Sequence, residues 1–214
     1  MTNRHYSPAD QFLMNLDQAV KTLFGKPDIT ERSYPAEETE LSELDKQQTQ
    51  QVAGLMRVNH TGEVCAQALY QGQALTAKLP RVRESMERAA QEENDHLDWC
   101  HTRLQELDSH TSYLNPLWYA GSFAIGATAG LIGDKWSLGF VAETEKQVVR
   151  HLESHLQQLP EKDTRSRAIL EQMKIDEEHH GTTAIKAGGA ALPSPVKTMM
   201  GLTSKVMTSI AFRI

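Results

Sequence analysis

Four long stretches of the chain repeat apolar residues at every third or fourth position, at about residues 43–77, 81–108, 135–159 and 164–187. This period places apolar side chains along one face of an α-helix. Helix-breaking residues separate the stretches: Pro80, Asn115-Pro116, Pro160 and Gly188-Gly189. No segment alternates apolar and polar residues in the way of a half-buried strand. The pattern predicts an all-α fold, a bundle of four long helices.

The first forty residues follow a different pattern. Residues 9–24 carry the spacing of a short amphipathic helix, with Phe12, Leu13, Leu16, Val20, Leu23 and Phe24 as its apolar positions. Residues 25–39 hold two prolines and many charges, so they are interpreted as a linker. Ser42 and Asp45 then mark a helix start. We expect residues 1–40 to form an N-terminal amphipathic segment and linker, and residues 41–214 to form one domain.

Two further segments are unusually apolar. Residues 117–133 are uncharged and contain four glycines, but a membrane-spanning helix needs about 20 apolar residues, so this run is marginal. Residues 195–214 combine many apolar residues with only three charges, Lys197, Lys205 and Arg213. An apolar face with few cations suits a helix lying in a bilayer interface. We expect both segments to contact a membrane; ordinary packing on the bundle is the alternative.

Charge and composition narrow the classes of function. A formal net charge of −6 and a pI near 5.8 argue against a nucleic-acid partner, which would need a basic face. Two cysteines, Cys65 and Cys100, suggest neither a disulfide framework nor a Cys-x-x-Cys site, and small buried side chains are the favoured interpretation. The polar start, residues 1–10, shows no apolar secretion stretch, so a cytoplasmic origin is expected.

Each of the four long stretches carries one glutamate on its apolar stripe: Glu63, Glu93, Glu145 and Glu177. Residues three or four apart share a helix face, so helical phase indicates which acids point inward. In two stretches a histidine follows the glutamate by three positions, at His96 and at His180.

Neighbouring residues compete for these roles. The pair Asp176 and His179 would shift the last motif by one position, but both fall on a polar row of their helix. Glu143 likewise falls among polar residues. Helical phase therefore favours Glu145, Glu177 and His180 over these neighbours.

Four ionised carboxylates in one apolar core are costly unless they bind a metal. Two divalent cations would bring the centre to formal neutrality, and mixed carboxylate and imidazole ligands suit iron or manganese. We predict a dinuclear site with the ligands Glu63, Glu93, His96, Glu145, Glu177 and His180, in which Glu93 and Glu177 bridge the metals. This ligand set is that of ferritin-like dinuclear carboxylate proteins.

Other residues near the motifs could support the site. Glu92 and Asp176 each precede a ligand glutamate and are candidates to hold the second ring nitrogen of a histidine; surface positions are the alternative. Asn59, His60 and Tyr70 flank Glu63 and could line the pocket, although ordinary core packing is favoured for Tyr70.

These residues resemble the demethoxyubiquinone hydroxylase family of ubiquinone biosynthesis, in its bacterial form. The resemblance extends from about Leu41 to the C-terminus. Its motifs are Arg57-Val58-Asn59-His60-Thr61-Gly62-Glu63-Val64, Glu92-Glu93-Asn94-Asp95-His96, Asn115-Pro116-Leu117-Trp118-Tyr119-Ala120-Gly121, Glu143-Thr144-Glu145 and Asp176-Glu177-Glu178-His179-His180. All six iron-ligand positions of the family hold the expected residue type.

The resemblance implies a peripheral membrane enzyme with a ferritin-like fold and a non-haem centre of two Fe ions. Such an enzyme hydroxylates the ring of a polyprenylated demethoxyubiquinol precursor with O₂, giving demethylubiquinol. The implied partners are this quinol, O₂, membrane lipid, an external electron donor and accessory proteins of ubiquinone biosynthesis. The implied location is the cytoplasmic side of the inner cell membrane. No catalytic residue beyond the metal centre is expected.

Two other functions stay open at this point. A ferritin-like ferroxidase or iron-handling protein uses a similar bundle, although the apolar stretch 117–133 and the methionine-rich tail argue against a soluble storage cage. A non-catalytic membrane quinone-binding protein could retain a metal for structure. A rubrerythrin-type peroxidase would carry an added Cys-x-x-Cys site, which the sequence lacks.

Overall fold

The computed structural model of the chain describes residues 7–26, 28–30 and 32–214, without the side chains of Pro8, Ala9, Gln11 and Phe12. Within this part of the chain there are seven α-helices and no strand: α1 (Pro8–Phe24), α2 (Lys46–Thr76), α3 (Pro80–Glu106), α4 (Asn115–Ile132), α5 (Asp134–Gln158), α6 (Thr164–Lys186) and α7 (Ser194–Ala211). The prediction of an all-α fold is confirmed.

The four predicted long helices correspond to α2, α3, α5 and α6, and local chemistry sets their ends. The carboxylate of Asp45 accepts a hydrogen bond from the backbone N–H of Gln48 at 2.9 Å, and the Gln48 side chain accepts one from the Asp45 N–H at 3.1 Å. This capping box starts α2. Pro80 opens α3, where its missing N–H costs nothing. Gly188, with a φ of 106°, follows the end of α6.

These four helices form the bundle. α2 packs along α3, α5 packs along α6, and contacts of α3 with α6 and of α2 with α5 close it. One apolar cluster fills one end and includes Met56, Leu104, Leu152 and Met173. Another fills the opposite end and includes Tyr70, Met86, Val141 and Ala184. On every helix the predicted metal-ligand positions fall between the segments that supply these clusters, so they occupy the middle layer of the bundle.

α4 lies directly against α2, because glycines let the two backbones approach. A Cβ at Gly72 would overlap the backbone oxygen of Phe123, and a Cβ at Gly126 would overlap that of Leu69. The hydroxyl of Thr76 also donates to the backbone oxygen of Ala127 at 3.0 Å. The inner face of this segment therefore packs on the bundle, which was the alternative to membrane contact.

Apolar side chains stay exposed on the outer faces of α4 and α7. On α4 and just after it they are Leu117, Ile125, Leu131, Ile132 and Trp136; on α7 and after it they are Met199, Leu202, Val206, Phe212 and Ile214. α7 rests on α2 and α5. None of the helices in the described ranges has both the length and the apolarity needed to cross a bilayer.

The N-terminal region forms the expected helix, α1, which packs on α2 and α4. Its apolar residues Leu13, Leu16, Val20 and Phe24 are at least half exposed. The side chain of Phe12, which the sequence pattern includes, lies outside the described residues. The stretch interpreted as a linker is docked on the bundle rather than free: Ala36 within it is fully buried in the core. The division of the chain at residue 40 stays a prediction.

Candidate metal centre

The six predicted ligand side chains all lie inside the bundle. α2 supplies Glu63, α3 supplies Glu93 and His96, α5 supplies Glu145, and α6 supplies Glu177 and His180; none is more than 7% exposed. Four of them offer ligand atoms that lie within 4.8 Å of one another: Glu63, Glu93, His96 and Glu177. Three helices thus bring separate acids to one point, and Glu145 of α5 and His180 lie outside this group of four.

His96 turns one ring nitrogen to the acids and the other outward. Its Nδ1 lies 3.0 Å from Glu93 Oε2, 3.2 Å from Glu177 Oε1 and 3.6 Å from Glu63 Oε2. Its Nε2 lies 2.9 Å from Asp176 Oδ2. Asp176 belongs to α6, so the acid that orients His96 comes from the opposite helix.

His180 repeats this arrangement from the other side. Its Nδ1 lies 3.1 Å from Glu177 Oε2 and 3.2 Å from Glu93 Oε1, and its Nε2 lies 2.6 Å from Glu92 Oε2. Glu92 belongs to α3. The two acids proposed from sequence to hold the histidines do contact imidazoles, and each contacts the one on the facing helix.

Glu145 interacts electrostatically with the acids of this group and accepts a hydrogen bond from Tyr70. The Tyr70 hydroxyl donates a hydrogen bond to Glu145 Oε1. Burial and then the nearby charges of Glu177 and Glu93 raise the pKa of Glu145. Tyr70 is part of the apolar core, as favoured from sequence, but its hydroxyl also holds a ligand candidate.

Electrostatics indicates a cation site. Burial and the neighbouring Glu93 raise the pKa of Glu63. Burial opposes ionisation of Glu93, but hydrogen bonds from His180 and His96 outweigh it and lower the pKa of this carboxyl. Burial also opposes protonation of both imidazoles, yet their hydrogen bonds to acids outweigh it and raise their pKa values. Protons on the two rings thus partly balance the converging acids, and divalent ions would do so more completely.

The donor set fits such ions. Glu93 Oε1 is buried and faces His180 Nδ1 at 3.2 Å; when that nitrogen carries no proton the oxygen accepts no hydrogen bond, which costs free energy unless a cation is bound. A proton kept on each histidine Nε2 leaves the Nδ1 lone pair facing the acids, which is the tautomer a metal requires.

Of the competing positions, Asp176 contacts His96 from outside the cluster, and the others lie away from it. His179 and Glu178 are exposed, while Glu177 and His180 are buried. Glu143 faces away from the centre: its carboxylate lies 3.4 Å from Lys197 Nζ and 3.7 Å from Arg150 Nη2.

Some expected neighbours make other contacts. The side-chain oxygen of Asn59 lies 2.8 Å from His155 Nδ1. His60 contacts Asn115 and His101. Neither contact involves the acid cluster, so the suggestion that Asn59 and His60 line the pocket is not supported by these contacts. The expectation of buried cysteines holds for Cys100, whereas Cys65 is only half-buried.

Two cavities adjoin the centre and share Tyr70 in their walls. One, of about 190 Å³, is bordered by His180 and Glu92, with Met86, Val141 and Ala184 as apolar walls. The other, of about 540 Å³, lies between α1, α2 and α3 and has a mixed lining that includes Gln67, Gln71 and Ala74.

Sequence reasoning missed two contributors. Arg32, in the stretch interpreted as a linker, lies 2.5 Å from Asp176. For Tyr70 the sequence favours core packing over a place in the pocket and does not indicate its hydrogen bond to Glu145. Neither has a motif spacing, because both reach the site through tertiary contacts; the seven-residue step from Glu63 to Tyr70, two helical turns, is the one signal that could have been used.

Comparison with known proteins gives independent evidence on the family of this chain. The sequence model of the family described as ubiquinone biosynthesis protein COQ7 matches residues 50–211. The 3-demethoxyubiquinol 3-hydroxylase of Pseudomonas fluorescens is 60% identical over 213 residues, which cover 100% of this chain and 99% of that protein. The protein of the same name from Nitrosococcus oceani is 57% identical over 214 residues, which cover 100% of this chain and 100% of that protein. The one from Azotobacter vinelandii is 61% identical over 214 residues, which cover 99% of this chain and 98% of that protein. These matches agree with the resemblance drawn from the motifs.

Proposed function

Because this chain belongs to the family of the ubiquinone biosynthesis protein COQ7, we propose that it is a 3-demethoxyubiquinol 3-hydroxylase, the activity its curated relatives are named for. It hydroxylates the ring of a polyprenylated demethoxyubiquinol with O₂ and forms demethylubiquinol. The observation that carries the proposal is the buried cluster of Glu63, Glu93, His96 and Glu177 in the middle layer of the bundle. His180 contacts two of these acids, and Glu145 is buried beside them.

The ligands of the centre are Glu63, Glu93, His96, Glu145, Glu177 and His180, and the fold is ferritin-like. These residues would hold two iron ions, whose four positive charges balance four carboxylates. When bound, the iron pair supplies the activation of O₂ that ring hydroxylation requires. Glu93 and Glu177 each lie near both histidines, so either carboxylate would be within reach of both ions, in agreement with their predicted bridging role.

The surrounding residues orient the ligand side chains and exclude water from the centre. Asp176 and Glu92 hold the outer nitrogens of His96 and His180, which keeps each inner nitrogen directed at the acids. Tyr70 holds one oxygen of Glu145. The two apolar clusters above and below exclude water from the layer in which oxygen is activated.

The substrate ring would enter through the cavity of about 190 Å³ beside His180. Its apolar walls, Met86, Val141 and Ala184, suit an aromatic ring, and Glu92 at its border offers a carboxylate to a ring hydroxyl. The described helices contain no dinucleotide-binding fold, so the two electrons that the reaction consumes come from an external donor. Accessory proteins of ubiquinone biosynthesis are further proposed partners.

A polyprenyl quinol resides in lipid, so the protein would be a peripheral protein on the cytoplasmic side of the inner cell membrane. Exposed apolar side chains on α7, among them Met199, Leu202 and Val206, support this location. The cations nearby, Lys205 and Arg213, would suit anionic headgroups.

Vesicle binding tests the membrane proposal. Val206 is 56% exposed on α7, and Val206→Glu should weaken binding to vesicles of phosphatidylethanolamine and phosphatidylglycerol about ten-fold, because it places a charge on the apolar face. Thr198→Glu is the matched control, since Thr198 is exposed seven residues before Lys205 and shares its polar edge. Equal binding by both variants, measured by flotation, would count against α7 as the membrane face.

A single-turnover experiment tests the reaction. Iron-loaded, reduced protein is mixed with ¹⁸O₂ and a short-chain demethoxyubiquinol, and mass spectrometry should find one ¹⁸O in the ring. Glu177→Gln is the control and should give no product. A bound quinol that stays unmodified would support a non-catalytic binding protein, and iron uptake far above two per chain would support iron storage.

A further inference from the structure

Residues 28–37, here called the strap (residue 31 is outside the described residues), run from α1 across α3 and α6. The strap is fastened beside the metal centre. The backbone N–H and the hydroxyl of Thr30 both donate to the buried carboxylate of Asp95, at 2.7 and 2.6 Å. Asn94 donates to the backbone oxygen of Asp28 at 3.0 Å. The segment is therefore part of the folded bundle at the level of the Glu93–His96 motif.

The strap brings Arg32 to the outer side of His96. Arg32 Nη2 lies 2.5 Å from Asp176 Oδ2, the same oxygen that lies 2.9 Å from His96 Nε2. The guanidinium also lies over the ring of Trp99 at 4.8 Å, and that ring lies 5.3 Å from the imidazole of His96. A continuous chain of contacts thus joins Arg32 through Asp176 to His96.

The other half of the centre lacks this support. Glu92 contacts the Nε2 of His180 as Asp176 contacts the Nε2 of His96. The side chain of Glu92 is 39% exposed, however, and that of Asp176 is 16% exposed. Among the described residues, no lysine or arginine forms an ion pair with Glu92, and the cavity of about 190 Å³ opens beside it. The two histidines are therefore held by acids that differ in exposure and in ion-pair partner.

We propose that Arg32 is a positioning residue of the metal centre: it fixes Asp176, and Asp176 fixes His96. As a consequence, the ion held by His96 is bound firmly, and the ion held by His180 exchanges more easily. The inference rests on the proposed function in one respect, that the cluster holds two irons. The guanidinium holds the oxygen of Asp176 that faces His96, at 2.5 Å, while Gln172 donates to the other oxygen at 3.0 Å. The charged contact at the shared oxygen restricts the carboxylate, and the carboxylate then restricts the imidazole. Loss of such outer contacts typically lowers metal affinity 10- to 100-fold.

The test is iron release from the full-length, iron-loaded protein into a chelator, with Mössbauer spectra of the same samples. Wild type should release one iron quickly and one slowly. Arg32→Gln should speed the slow phase about ten-fold and leave the fast phase unchanged, and it should alter one of two quadrupole doublets. Arg32→Lys should restore part of the slow phase, because it returns the charge without the planar fork.

Thr30→Val is the matched control, since it removes the hydroxyl's hydrogen bonds with Asp95 and with the backbone N–H of Arg32 but leaves the Arg32 guanidinium and Asp176 unchanged. It should lower the melting temperature of metal-free and iron-loaded protein alike and leave the Mössbauer doublets as in wild type. If Thr30→Val and Arg32→Gln change release and spectra equally, the strap has only a structural role and the inference falls. Two irons in wild type with unchanged release in Arg32→Gln would also overturn it, whereas wild type without iron would overturn the proposed function itself.

Discussion

At the scale of single residues, Glu145 and Glu143 lie two positions apart on α5 and face different surroundings. Glu145 is 1% exposed and accepts a hydrogen bond from Tyr70 next to the acid cluster, while Glu143 pairs with Lys197 of α7. Glu145→Gln should therefore lose iron and turnover, because a neutral amide cannot balance a metal charge. Glu143→Gln should keep both. Iron content by elemental analysis and product per chain measure the difference, and equal losses in the two variants would refute the assignment of Glu145.

A second residue-scale prediction concerns His155 and acid. Burial and then the nearby His151 lower the pKa of His155 to about 3, against an ordinary value of 6.5. Between these pH values the unfolded chain binds a proton here and the folded chain does not, so stability falls as pH falls from 6.5 towards 3. This residue alone should lower the free energy of unfolding by about 2 kcal/mol between pH 7 and pH 5.

Comparison with a variant isolates that contribution. His155→Gln lacks the titrating ring but can still donate to Asn59. Its loss of stability between pH 7 and pH 5, from urea unfolding curves, should be smaller than that of wild type by about 2 kcal/mol, since every other titrating group is common to both chains. The same loss in both proteins would show that His155 is not held neutral by burial.

The sequence could identify the ligand candidates of α3, α5 and α6 because the phase of these helices is readable, whereas on α2 the apolar stripe supports Glu63 only weakly. Glu177 and His180 are distinguished from the competing pair Asp176 and His179 by helical phase, since the spacing of the two pairs is the same, and the burial agrees. The partners of the histidines follow a rule that spacing cannot express: Glu92 serves a histidine on the facing helix, and this depends on how α3 and α6 are placed against each other.

At the scale of elements, the contact of α2 with α4 depends on glycine. Gly126→Ala should destabilise the protein by about 1–3 kcal/mol, because its Cβ would overlap the backbone of Leu69, which cannot move aside cheaply. Gly121→Ala on the same helix is the control: no atom lies within 4 Å of its Cβ position, so the better helix propensity of alanine should stabilise by up to about 1 kcal/mol. Chemical denaturation measures both, and a stabilising Gly126→Ala would contradict the close packing.

Element boundaries were predictable, but the surroundings of two elements were not. α2 is buried around most of its circumference from Val52 to Ala74, since α3, α4 and α5 all contact it, so an apolar stripe is a poor guide to its buried face. The strap was interpreted as a linker because its prolines and charges are typical of one. Its place on the bundle comes from individual contacts of Thr30 and Arg32, which leave no periodic signal.

At the scale of the whole molecule, the bundle contains a layer of like charges that the metal ions would neutralise. Without ions, protonated histidines balance the acids only in part, and Glu63 and Glu145 carry raised pKa values because burial and neighbouring acids oppose their ionisation. An ion that binds the folded chain and not the unfolded chain stabilises it by about 4 kcal/mol at a concentration of 1,000 times Kd. For a chain of this length that corresponds to a rise in Tm of roughly 10 °C.

Removal of metal should therefore lower Tm by roughly this amount, and addition of Fe(II) without oxygen should restore it. Calorimetry of metal-free and reconstituted protein measures the change. Glu177→Gln supplies the control, because it leaves the helices and both apolar clusters in place but removes a carboxylate that both histidines contact; its Tm should respond little to iron. A wild-type Tm that is the same with and without iron would mean that the acids do not share one ion-binding layer, since ions bound there must couple all four helices.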